Sequence, residues 1–232
     1  MKYKNEIVAM RLLYRVFITI LLCRAYVYEI QQTVAQTNEK TVEEVSFKEF
    51  APKIALTFDD GPSIYTEELL EGLKERNVKA NFFIIGKSAE TYPEIVKRAA
   101  KEGHLIGNHT YSHVEISRLS ETKAKEEIEK TNEILEKLIK KEVEYVRPPF
   151  GVWKEELEDL EMTLVMWSVD PLDWTTKNTD EIVKKVVTQA KENDIILLHD
   201  CYKSSVQAAL RIIDLLQSEG YEFVTVEELL LE

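Results

Sequence analysis

From Lys53 onward the chain alternates short apolar runs with longer amphipathic ones, and this alternation is the tightest constraint on its fold. Residues 53–58 read as a first strand, 80–85 as a second and 105–107 as a third. Residues 144–147, 163–169, 194–198 and 221–225 follow as strands four to seven. Helical patterns fill the gaps. Residues 65–76 place Leu69, Leu70 and Leu73 on one face, with Asn77 as a left-handed stop. Pro93 opens a helix that closes at Gly103. The longest helix is expected from Ser120 to about Lys140, with Ile128, Leu135 and Leu138 at helical spacing. A short helix holds Leu157 and Leu160, Asn178 caps another, residues 207–218 form one closed by Gly220, and a last one ends the chain. Seven strands alternating with helices predict an α/β fold with a parallel sheet, either a barrel or a doubly wound sheet.

The polar residues that look out of place for a core fall at strand ends: Asp59 and Asp60, Asn108 and His109, Arg147, Asp170 and Asp173, His199 and Asp200. Parallel α/β barrels carry their chemistry at the carboxyl ends of strands. A solvated turn would also use Asp-Asp-Gly-Pro, but scattered surface charge would not collect this way. Two adjacent carboxylates repel unless a cation lies beside them. His109 and His113 are spaced i, i+4, so on one helical turn they would face the same side and could share a metal. One Asp and two His make three ligands with an open position, the pattern of catalytic zinc. Asp60 is read as the ligand and Asp59 as the free base, an order that spacing alone leaves open. Of the four histidines, His104 is expected on the surface or behind the site.

The net charge of −12 argues against a nucleic-acid partner, which would want a basic face. Cys23 and Cys201 are too few and too far apart for a disulfide framework. Lys2, Lys4, Arg11 and Arg15 precede the apolar run 16–23, so residues 1–28 are expected to be a signal peptide or membrane anchor. The polar stretch 29–52 reads as a linker, and 53–232 as the catalytic domain.

Five stretches stand in order: Thr57-Phe58-Asp59-Asp60, His109-Thr110-Tyr111-Ser112-His113, Arg147-Pro148-Pro149-Phe150-Gly151, Asp170-Pro171-Leu172-Asp173-Trp174 and Leu197-Leu198-His199-Asp200. Together they resemble the five motifs of the polysaccharide deacetylase family, the NodB-homology domain of carbohydrate esterase family 4, over roughly 53–229. The stretch from Trp167 to Trp174 looks most like peptidoglycan N-acetylglucosamine deacetylases. The resemblance implies a distorted (β/α)7 TIM-like barrel. It implies that Asp60, His109 and His113 hold a divalent metal, zinc or else cobalt. Asp59 would be the general base, with Arg147 paired to it. His199 would be the general acid, oriented and charged by Asp173. Trp174 and Leu197 would wall an acetyl pocket, and the Phe150 N–H would help bind the oxyanion. The family often has Tyr where this chain has Phe150. Relatives acting on muramic acid usually have Asn in place of the second Asp, so Asp60 points away from that branch.

The implied activity is hydrolysis of N-acetyl groups on cell-wall peptidoglycan, with release of acetate; the protein is expected to be a monomer, with membrane contact through its amino-terminal segment. Deacetylation of chitin oligomers or acetyl-xylan is the neighbouring alternative, and a non-catalytic wall-binding module is a different class. The intact set of base, ligands and acid speaks against a mere binding module. A phosphohydrolase would want more positive charge than Arg147 supplies.

Overall fold

The computed structural model describes residues 51–231 together with Gln32. The expected leader or anchor and nearly all of the expected linker lie outside the described residues. The chain divides into Met1–Ala51 and Pro52–Glu232, and the account below concerns the second unit.

Seven strands form one sheet, with every pairing parallel. They are β1 (Lys53–Asp59), β2 (Asn81–Ile84), β3 (Leu105–Asn108), β4 (Tyr145–Val146), β5 (Thr163–Leu164), β6 (Ile195–His199) and β7 (Glu222–Val224). The order is β5-β4-β3-β2-β1-β6, and β7 pairs with the first half of β1. The helices are α1 (Thr66–Glu75), α2 (Gly86–Thr91), α3 (Pro93–Lys101), α4 (Glu121–Ile139), α5 (Thr179–Gln189), α6 (Lys203–Ser218) and α7 (Val226–Leu230). The expected α/β class is what the structure has, and the expected distorted (β/α)7 barrel takes the form of a curled, half-barrel parallel sheet.

The alternation of side chains along a strand sorts the core into two parts. Ile54, Leu56 and Phe58 of β1, Phe82 and Ile84 of β2, and Ile196 and Leu198 of β6 join the main core with Leu69, Leu73 and Ile212 from the helices. Burying each such side chain is worth roughly 1.5–3 kcal/mol. The opposite parity points into the barrel. Ala55 and Phe83 meet Val165 and Val226 there, in a small cluster. Gly107 faces the same interior, where a Cβ would stand 2.6 Å from Phe83 Cδ1. Thr57 and Asp59 share the parity of Ala55 and complete the inner face as buried polar groups.

One expectation needs correction, and one element is new. Residues 163–169 do not form one strand: only Thr163–Leu164 pairs with β4, and Val169 returns as an isolated bridge to Ile196 of β6. The reason lies in Arg147. Its guanidinium donates to the carbonyls of Val165 (3.0 Å) and Met166 (3.1 Å), so a side chain takes acceptors that a neighbouring strand would otherwise use. The addition is the helix α2 between β2 and Pro93, where the sequence pattern predicts no element. It is six residues long, too short for a hydrophobic period to reveal it.

Candidate active site

The carboxyl ends of the strands bring most of the predicted residues to one cavity of about 440 Å³. Asp59, Asp60, His109, His113, Phe150, Trp174, Leu197 and His199 line it. Arg147 and Asp173 stand behind, fully buried, each bonded to a lining residue.

Asp59 points inward by strand parity. Asp60 would point outward, but its φ of 72° turns the chain and brings the second carboxylate to the same site. Asp60 Oδ1 lies 3.1 Å from His113 Nε2 and 3.5 Å from His109 Nε2. Burial works to raise the Asp60 pKa, but the two imidazoles outweigh it and hold the group well below the usual carboxylate range. The Asp60 contact and charge raise the His113 pKa against the effect of burial.

The two histidines meet, but not on the helical turn that their spacing predicts. Residues 109–115 form no helix. Thr110 (φ 60°) and His113 (φ 55°) both adopt left-handed backbone, costly for β-branched Thr110. Fixed partners hold this loop. Asn108 Oδ1 accepts from Thr110 N (2.7 Å), and Glu127 of α4 accepts from both Ser112 N and Ser112 Oγ (2.8 Å each). Three consecutive amides at the start of α2 clasp both ligand loops: Ile85 N donates to Gly61 O, Gly86 N to Thr110 O and Lys87 N to Tyr111 O, at 3.0–3.1 Å. The i, i+4 spacing thus points to two histidines that do meet, though through a loop and not a helical turn.

His109 Nδ1 lies 2.7 Å from the Arg147 carbonyl, which can only accept. A proton therefore sits on Nδ1, and Nε2 is the nitrogen that faces Asp60. The candidate ligand atoms of Asp60, His109 and His113 lie within 4.8 Å of one another. Asp60 Oδ1 is buried without a well-aligned hydrogen bond, as a metal ligand waiting on a cation would be. One carboxylate and two imidazoles fit a divalent metal of the zinc type.

Arg147 engages one oxygen of Asp59, and the other, Oδ2, lies 3.8 Å from His109 Nε2. Arg147 Nη1 donates to Asp59 Oδ1 (2.8 Å) and to Thr57 Oγ1 (2.7 Å). The guanidinium stacks over Phe83, 4.2 Å from the ring centroid. Burial lowers the Arg147 pKa, while Asp59 works to raise it.

Across the cavity, His199 Nδ1 is 2.7 Å from Asp173 Oδ1, and His199 N donates to Asp173 Oδ2 (2.9 Å). Asp173 opens the turn Asp173–Thr175, after Leu172 in left-handed backbone. Burial works to lower the His199 pKa, but the bond and charge of Asp173, with Asp59 and Asp60, raise it to about 9. His199 therefore carries a proton at neutral pH, and its Nε2 is free for the cavity.

Phe150 has φ 62° and sets its ring edge-on to His113, with centroids 5.1 Å apart. Asp170, one of the polar residues expected at a strand end, also lines the cavity, as do Pro148, Trp167, Leu172 and Tyr202, to which the sequence assigned no role there. Tyr202 follows His199 by three residues, close enough to have been suspected. Thr57 was missed as the hydroxyl that shares Arg147. His104 is neither on the surface nor behind the site. It is buried against Phe82, accepts from Ala80 N at Nδ1 (3.1 Å), and is pulled down to about 4 by burial. Asp200 is fully buried, which pushes its carboxyl up to about 7, and burial pushes the Cys201 thiol up to about 12, which disfavours the thiolate.

A parallel barrel-like sheet with a carboxylate–diimidazole cluster, a braced second carboxylate and a charged His at its strand ends defines a hydrolase-type site. The family described as Polysaccharide deacetylase matches residues 48–165, and the chain belongs to it. The chain is 42% identical over 178 residues to the peptidoglycan-N-acetylmuramic acid deacetylase PdaC of Bacillus subtilis, covering 76% of this chain and 38% of PdaC. A peptidoglycan-N-acetylglucosamine deacetylase of Bacillus cereus is 40% identical over 187 residues, covering 76% of this chain and 87% of that one. The solved structure of PdaC superposes with a TM-score of 0.76 at 41% identity, over 78% of this chain and 90% of that chain. The chain thus spans well under half of PdaC's full length, and 66% of a second Bacillus cereus enzyme. By their names these relatives act on two different sugars at nearly equal identity, so similarity gives no support to setting the muramic acid branch aside.

Proposed function

We propose that the chain is a metal-dependent hydrolase that removes N-acetyl groups from N-acetylglucosamine residues of peptidoglycan and releases acetate. One observation carries this reading: a candidate metal cluster, an Arg-braced carboxylate and an Asp-charged histidine open onto a single cavity. Asp60, His109 and His113 would hold the metal, with zinc favoured by the donor set and cobalt able to replace it. A metal held there would supply Lewis-acid chemistry toward the amide carbonyl and water. Asp59 takes the proton of the attacking water, through the oxygen that Arg147 leaves free. His199 gives its Nε2 proton to the departing nitrogen, and Asp173 holds the ring and its charge. Trp174 and Leu197 enclose the acetyl methyl, and the Phe150 amide meets the developing oxyanion.

The choice of peptidoglycan rests on the names of the relatives and on the Trp167–Trp174 stretch. Acetate release from purified peptidoglycan, chitin oligomers and acetyl-xylan, assayed side by side, tests it. Preference for either of the last two would overturn the substrate and leave the chemistry. No helix among the described residues is long and apolar enough to cross a membrane. The basic start and apolar run of residues 1–28, with the linker 29–52, support a domain (53–232) on the wall side of the membrane, secreted or anchored. Protease added to intact cells should reach it; full protection would place it inside and remove peptidoglycan as substrate.

A further inference from the structure

Asp60 reaches its two histidines only through left-handed backbone, φ 72°. That conformation costs a non-glycine residue energy, though Asp tolerates it better than most. The turn must therefore be held from outside. On one side, Ile85 N donates to the Gly61 carbonyl at 3.1 Å. On the other side stands Asp200, which has no solvent exposure.

The Asp200 carboxyl packs directly on Gly61. A Cβ at position 61 would fall 2.3 Å from Oδ1 and 2.4 Å from Oδ2. Gly61 does not adopt a positive φ, so what demands glycine there is this close approach. Asp200 Oδ2 lies 2.5 Å from Thr66 Oγ1, itself buried at the start of α1. The Thr66 hydroxyl also accepts from Ser63 N (2.7 Å), and Ser63 Oγ donates to the Asp200 carbonyl (2.7 Å). The segment that follows Asp60 is thus tied at both Ser63 and Thr66 to the residue that follows His199. Neither Asp200 nor Thr66 lines the catalytic cavity.

We propose that Asp200 and Thr66 are positioning residues for the metal site, fixing the Asp60 turn and thereby setting metal affinity without touching metal or substrate. This rests on the reading of Asp60, His109 and His113 as the ligands. Asp200 adjoins His199, so replacing it would disturb the acid as well. Thr66 is the cleaner handle, because Thr66→Val removes the hydroxyl at nearly constant volume and Thr66→Ser keeps it.

The full chain, stripped with a chelator, is titrated with Zn²⁺ against a chromophoric chelator. Leaving the Asp200 oxygen and Ser63 N unsatisfied should cost Thr66→Val about tenfold or more in Zn²⁺ affinity, with one ion still bound per chain. Thr66→Ser should stay within about threefold of wild type, because the bonds survive. The alkaline limb of the pH–rate profile of Zn²⁺-saturated Thr66→Val should not move, since Asp173 and His199 are untouched. If Thr66→Val does not unfold cooperatively, Ser63→Ala replaces it, cutting the bond to the Asp200 carbonyl and the one that Ser63 Oγ accepts from Tyr65 N; it too should weaken Zn²⁺ binding. Wild-type affinity in the folded Val or Ala variant, or an equal loss in Thr66→Ser, overturns the inference alone. A wild-type chain that binds no Zn²⁺ overturns the metal reading and this inference with it.

Discussion

Arg147 Nη1 donates to Asp59 Oδ1 at 2.8 Å from a side chain with no solvent exposure. The same guanidinium binds Thr57 Oγ1 and the carbonyls of Val165 and Met166, in the stretch between β5 and the isolated bridge of Val169 to Ile196. One side chain thus holds this irregular stretch and braces the proposed base.

Arg147→Met should therefore damage both stability and activity. It leaves the Asp59 charge buried and unpaired, a loss of about 3–5 kcal/mol in denaturant unfolding. Asp59 would also lose its orientation, so kcat/KM should fall at least ~100-fold. The double variant Arg147→Met/Asp59→Asn should regain part of the stability and none of the activity. A single variant as stable as wild type would mean that the pair is not buried as described.

The two adjacent carboxylates should separate by readout. Asp59→Asn spares the ligands, so metal content should hold while turnover drops by about 10²–10⁴, the range for loss of a general base. Asp60→Asn should lose metal first. Metal analysis giving the reverse would exchange the two roles.

How far the sequence reaches is visible in this pair. Strand parity places Asp59, and the order of motifs places both carboxylates at one strand end. The left-handed turn at Asp60 leaves no pattern in composition or period, and it alone decides that the second carboxylate joins the first. The same holds for His109 and His113, whose loop is set by Asn108, Glu127 and the amides of α2. Those partners lie up to about 25 residues away in sequence. Helices and strands with long periods were legible; α2, the short β5 and the cavity walls Trp167, Leu172 and Tyr202 depend on tertiary contacts that no local window contains.

The charged His199 sets a direction for pH dependence. Its folded pKa is raised to about 9, and catalysis needs the protonated ring, so kcat/KM should fall as pH rises through that region. The acid limb belongs to the base and its coupled neighbours. Asp173→Asn keeps a contact to Nδ1 but removes the negative charge that sustains the raised value. The alkaline limb should move to lower pH, and the maximum should drop. His199→Ala should keep the metal and lose most activity. A limb that stays in place in Asp173→Asn would assign the charging role to another carboxylate, Asp170 being the next to replace.

His104 supplies a stability test away from the cavity. Its folded pKa is about 4, below the unfolded 6.5, so the unfolded chain binds more protons between those values. Stability should fall as pH drops from 6.5 to 4, by about 3 kcal/mol from this group. In His104→Asn the amide oxygen can still accept from Ala80 N, and no group titrates. Unfolding of that variant should lose this part of the pH slope. An unchanged slope would mean that His104 is solvated.

The central claim is that Asp60, His109 and His113 hold a divalent metal on which acetate release depends. The most direct measurement is acetate released from purified peptidoglycan by enzyme stripped with chelator, verified metal-free by elemental analysis, and then reloaded. Stripped enzyme should release none, Zn²⁺ or Co²⁺ should restore the rate, and His109→Ala and His113→Ala should neither bind the ion stoichiometrically nor recover. Full acetate release by the verified metal-free chain would contradict the account.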